Sequence, residues 1–153
     1  MRASEIEEAR SFVEAVAWGE HRRVWALLSA EGRRLVLDVA GRRGMDAALV
    51  GQLRAGTADE PAWASFLVDL VNGLRMDLRG TDLDHVAYEA AAAPPGGRTA
   101  PDGVHAHTWV TIVEPPGASL AALGGIALPV ATVELSDEEG TWRVTRLVPQ
   151  RRP

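Results

Sequence analysis

The sequence predicts a single α+β domain, with helices in the first half and a curved antiparallel sheet in the second. Three observations carry this. Apolar residues recur at the helical period as far as Gly80 and at a period of two beyond it. The later strands are joined by proline-, glycine- and aspartate-rich breaks of the kind that link antiparallel neighbours. Helices followed by strands is the order of a segregated α+β domain. At 153 residues the chain has the size of one domain, 1–153, and 46% apolar with 24% charged residues is an ordinary globular composition.

Three of the helices carry their own start signals. Ser4 with Glu7 forms a capping box, after which Ile6, Ala9, Phe12, Val13, Val16 and Ala17 share one face until Gly19. A short second helix shows Val24, Trp25, Leu27 and Leu28. Ser29, followed by Glu31, caps a third with Leu35, Val36 and Val39, which Gly41 and Gly44 break. Met45 to Leu53 is one more short helix. Asp59 caps the next, with Pro61 in its first turn, where a missing N–H costs nothing. Its wide apolar face is Trp63, Phe66, Leu67, Leu70, Val71 and Leu74.

Strands are expected at Leu83–Ala91, Val104–Glu114, Ile126–Leu135 and Thr141–Val148, with a tight hairpin at Asp137-Glu138-Glu139-Gly140. Strict alternation assigns the faces. Val104, Ala106, Thr108, Val110 and Ile112 form the core side, continued by Val86 and Tyr88, by Leu128 and Val130, and by Trp142 and Val144. Trp25, Phe66, Val86, Val110, Val130 and Val144 are the expected core anchors. His105, His107, Trp109, Thr111 and Val113 face away.

Composition excludes several chemistries. All 16 basic residues are arginine, and the chain has no lysine or cysteine. Schiff-base and phosphate-loop lysines, thiol nucleophiles, cysteine-held zinc and disulfides are therefore ruled out. The six serines include none in a Gly-x-Ser-x-Gly frame. The formal charge of −5 offers no overall pull toward a polyanion. Residues 21–54 hold seven arginines (22, 23, 33, 34, 42, 43 and 54) against three carboxylates, but lack interleaved aromatics, so they read as a solvated helical face with no nucleic acid bound. The start, Met1-Arg2-Ala3-Ser4-Glu5, turns acidic at once, and the apolar run Ala121 to Val133 is too short to span a bilayer. A cytoplasmic protein with no membrane partner is expected.

Phe12-Val13-Glu14-Ala15-Val16-Ala17-Trp18-Gly19-Glu20, leading to Val24-Trp25-Ala26-Leu27-Leu28-Ser29, resembles the opening helices of the nuclear transport factor 2-like superfamily, the cystatin-like α+β cone. Asp137 to Pro149, centred on Gly140-Thr141-Trp142-Arg143-Val144, is similar to that family's closing hairpin. One departure is Glu31 to Asp59, extra helical material where the family runs directly to a third helix. The resemblance implies a curved sheet wrapped around helices, often with a cavity at the open end. It also implies functions ranging from dehydratases, isomerases and cyclases to small-molecule binders and protein-interaction modules, so fold alone selects none.

Family enzymes place an Asp, His or Tyr inside the cone. Here the expected pocket lining is Tyr88, Thr108, Thr132 and Trp142, with Asp69 reaching in from the long helix. No second acid–base group stands at a fixed spacing from Tyr88, so no catalytic residue and no cofactor is assigned. His105-x-His107 has metal-site geometry, but only Asp102, His85 and Glu114 offer further ligands, and no metal is expected. The outward face carries His105, His107, Trp109 and Val113 and, by the same alternation, Ala127, Ala131, Val133 and Leu135. That row predicts an apolar patch that either the inserted helices or a second copy would cover, and a homodimer through the sheet is the reading adopted. The reading is a non-catalytic small-molecule-binding or protein-interaction domain, with a small apolar ligand as one partner. The alternative is a cofactor-independent enzyme using an acid–base group in the cone.

Overall fold

The computed structural model describes residues 4–91, 107–114 and 128–150. Five helices come first: α1 Glu5–Trp18, α2 His21–Leu27, α3 Ala30–Arg42, α4 Ala47–Ala55 and α5 Glu60–Asp77. Four strands follow: β1 Ala87–Ala91, β2 His107–Glu114, β3 Leu128–Glu138 and β4 Thr141–Pro149. They form one antiparallel sheet in the order β1-β2-β3-β4. This is the α+β arrangement that the change of period predicts.

The caps work as the residues suggest. Ser4, Ser29 and Asp59 each accept a backbone N–H three residues on, from Glu7, Gly32 and Ala62. Asp46 does the same for α4 through the Leu49 N–H. Gly19 ends α1 in the left-handed region at φ 69°. The β3–β4 hairpin turns on Glu139 and Gly140, both at positive φ, and Asp137 accepts the Gly140 N–H at 2.9 Å. β1 begins four residues later than expected. Asp82 accepts the Asp84 N–H and meets His85 Nδ1 at 2.7 Å, so a turn occupies the segment before Val86.

Two apolar clusters hold the molecule. In the larger, α1 lies across all four strands, and Phe12, Val13 and Val16 meet Val110, Ile112, Val133, Leu135 and Val144. The smaller belongs to the helices: Leu37, Leu53, Phe66 and Leu67, with Trp25, Trp63 and Phe66 edge to face at 5.3–5.9 Å. Helices α3 and α4 build this second cluster together with α5. Trp25 contacts both clusters and lies under the Arg33 guanidinium, which also donates to the Trp25 carbonyl. Helix α3 is fastened to β4 by its first turn. Ser29 N–H donates to the Val144 carbonyl at 2.7 Å, and a Cβ at Gly32 would lie 2.7 Å from the Val144 and Thr145 carbonyl oxygens.

The faces of β3 correct the sequence reading. Thr132 was expected inside, and Ala131, Val133 and Leu135 outside. Instead those three lie in the helix-facing core, fully buried, and Thr132 sits on the other side. The reason is a β-bulge. Ile112 pairs with Ala131 and Val113 with Pro129, leaving Val130 as an extra residue. An extra residue reverses the alternation beyond it, so every later side chain on β3 changes face. Val130 itself is buried in the core, as expected.

Candidate functional site

The residues expected to line a cone pocket do not converge. Tyr88 and Thr108 are half-buried on the helix-facing side of β1 and β2, opposite Ile112 and Leu135 respectively. Trp142 is half-buried against the core beside the hairpin, Thr132 is buried on the far side, and Asp69 is exposed on α5. The Tyr88 ring lies 5.2 Å under the Arg10 guanidinium. Burial, with the Glu14 carboxylate adding to it and Arg10 opposing, pushes the phenol up to about 12. It therefore stays neutral at physiological pH and has no carboxylate within hydrogen-bonding reach among the described residues.

The described residues instead concentrate their polar chemistry on the face of the sheet that points away from the helices. Ser136 stands opposite His107, and Glu134 opposite Trp109 and Arg146. Glu134 is the deepest charge: its side chain is only 4% exposed, and one carboxylate oxygen takes a hydrogen bond from Arg146 Nε. Its other oxygen lies 3.5 Å from Nδ1 of His107, whose side chain is 7% exposed. A carboxylate this deep requires a cationic partner, since an unpaired buried charge would neutralise itself or unfold the site.

A chain of hydroxyls leads from this pair to α3. Ser136 Oγ lies 3.3 Å from His107 Nδ1 and 2.6 Å from Thr145 Oγ1, and Thr145 Oγ1 lies 2.9 Å from Ser29 Oγ. Ser29 Oγ in turn accepts the Gly32 N–H. A second bulge makes this arrangement. Leu135 pairs with Val144 and Glu134 with Arg146, so Thr145 is the extra residue. Regular pairing would put Thr145 opposite Glu134. The bulge puts Arg146 there and leaves Thr145 bridging Ser136 and Ser29.

Ser136, His107 and Glu134 have the residue types of a nucleophilic triad but not its geometry. Both the serine and the carboxylate approach Nδ1, whereas a triad needs the serine on Nε2. The sequence carried one signal for the pair: Glu134 interrupts the apolar run Val133–Leu135, and Arg146 interrupts Val144–Val148.

The expected metal site and interface also change. His105, Asp102 and Ala127 lie outside the described residues. His85 is exposed in its turn, and Glu114 is at the opposite end of β2 from His107 and on the other face. No group of three metal-ligating side chains exists among the described residues. Trp109 does face away from the helices, half-buried, but Val133 belongs to the core. The expected apolar patch of Ala131, Val133 and Leu135 is absent from that face, and Thr132, Glu134 and Ser136 take its place, already buried within one chain.

Four of the seven arginines in the arginine-rich stretch are in ion pairs. Arg22 pairs with Glu60, Arg23 with Glu20, Arg34 with Glu31 and Arg54 with Asp38. An open cleft of about 380 Å³ is lined by Gly19–Arg23 of the α1–α2 corner and by Ala64, Leu67 and Val68 of α5. Trp18, which precedes the lining Gly19 in the chain, is 79% exposed. No described helix is long and apolar enough to cross a membrane. No family model, curated protein or solved structure matches the chain.

Proposed function

We propose that this chain is a cytoplasmic, non-catalytic protein-interaction domain of the nuclear transport factor 2-like type, with its cone filled by its own side chains. The observation that carries the reading is the helix-facing side of the sheet. Val110, Ile112, Ala131, Val133 and Leu135 are fully buried there against α1, an apolar interior with no acid–base pair among the described residues. The exposed Val68, which lines the corner cleft, and the exposed Trp18, which precedes the lining Gly19 in the chain, supply the amphipathic contact that such a domain presents to a protein. The competing small-ligand reading needs an interior cavity. Titration with an apolar fluorescent probe such as 1-anilinonaphthalene-8-sulfonate separates the two. A filled cone gives no saturable one-to-one binding, whereas stoichiometric, saturable binding would overturn this reading in favour of a small apolar ligand. Sedimentation of the same sample tells whether the protein partner is a second copy.

One observation favours a second reading, that of a cofactor-independent enzyme: the His107–Glu134 pair. The pair would then act from the outer face of the sheet, with the imidazole as a hydrogen-bond donor, rather than from the cone.

A further inference from the structure

We propose that the hydroxyl chain from α3 holds His107 in a single neutral tautomer, with the proton on Nε2 and the Nδ1 lone pair accepting from Ser136. A count of hydrogens leads to this. Ser29 is fully buried and its Oγ accepts the Gly32 N–H at 2.9 Å, so its own hydrogen needs an acceptor, and among the described residues that is Thr145 Oγ1 at 2.9 Å. Thr145 then donates to Ser136 Oγ at 2.6 Å, and Ser136 donates to His107 Nδ1 at 3.3 Å. In this direction each of the three hydroxyls donates once and accepts once. In the reverse direction Nδ1–H donates to Ser136, Ser136 to Thr145 and Thr145 to Ser29, and the Ser29 hydrogen, in a fully buried residue, is left without an acceptor among the described residues. A buried unsatisfied donor is disfavoured, so the chain runs from helix to imidazole.

Two charged groups bear on the ring from the neighbouring strands, Glu134 of β3 and, through it, Arg146 of β4. Glu134 opposes the assignment, because a carboxylate 3.5 Å away attracts a proton onto Nδ1. Arg146 offsets that pull by taking the other carboxylate oxygen. Ser136 is therefore the positioning residue, and the helix end sets its direction. The consequence is chemical. With its proton on Nε2, neutral His107 presents a donor beyond the chain, so the group that meets it is an acceptor such as a carbonyl or carboxylate oxygen. The ring cannot serve there as a base.

Long-range ¹⁵N–¹H correlation of the imidazole rings in the intact chain, at a pH where His107 is neutral, tests the assignment. The His107 signals are identified by their loss in His107→Gln. The expected spectrum shows Nδ1 unprotonated and Nε2 protonated. Ser136→Ala should move the proton to Nδ1, where Glu134 Oε1 receives it, and Ser136→Thr should restore the original pattern. An Nδ1–H tautomer in the unmodified protein overturns the proposal without any variant. So does a folded Ser136→Ala protein whose His107 pattern is unchanged.

Discussion

The two sides of β3 solve the same problem in opposite ways. Ala131, Val133 and Leu135 are buried against α1 by apolar contact, while Thr132, Glu134 and Ser136, interleaved with them, are buried on the other side. The first row needs only shape. The second contains a carboxylate, which is tolerated because Arg146 donates to it, and a serine joined to Thr145. Burial alone therefore does not identify the core of this sheet. The difference lies in how each row fails: an apolar row loses stability in proportion to the atoms removed, a polar row according to the partner left behind.

The largest expected effect breaks the apolar row. Leu135→Ala removes a fully buried side chain and should destabilise by about 2–5 kcal/mol, read as a lower urea midpoint with an unchanged slope. A loss under about 1 kcal/mol would mean that the row is not close-packed.

The next breaks the polar row and then repairs it. Arg146→Met strands the Glu134 carboxylate and should cost about 3 kcal/mol, the low end for a broken buried pair because the arginine itself is partly exposed. Adding Glu134→Leu removes the stranded charge, and the double variant should recover most of that loss. No second substitution of this kind would rescue Leu135→Ala. A double variant as unstable as the single one would show that the ion pair itself, rather than its desolvation, governs the site.

The smallest effect concerns Tyr88, on the apolar side near the sheet edge. Its phenol is held up to about 12 in the folded protein against 10.0 unfolded. Between those values the unfolded chain loses the proton first, so stability from this group is fully present below pH 10 and falls as pH rises toward about 12. Absorbance titration of the single tyrosine should give a midpoint well above 10, and denaturant midpoints should decline over the same range. A tyrosine titrating at its ordinary value would place Tyr88 in solvent.

Local signals made much of the fold legible. Ser4, Ser29 and Asp59 are caps because their side chains bond backbone three residues away, an interaction written within four consecutive letters. Trp63, Phe66 and Leu67 needed only the helical period. The site was harder to see. Glu134 and Arg146 each interrupt an apolar run, but their pairing depends on where a strand gains one residue. Val133 and Thr132 were exchanged between faces for the same reason.

The sequence by itself determined the division at Gly80, the starts of α1, α3 and α5, the hairpin at Glu139–Gly140 and the absence of thiol and lysine chemistry, all of which depend on residue type or on neighbours close along the chain. Only the tertiary structure decided the two bulges, at Val130 and Thr145. Each arises from the fit of one strand to the next, with α1 packed on one side and the first turn of α3 docked against the β4 backbone. Alternation carries no record of an extra residue, because a bulge changes which face a side chain meets without changing the letters. That is why Arg146, and not Thr145, stands opposite Glu134.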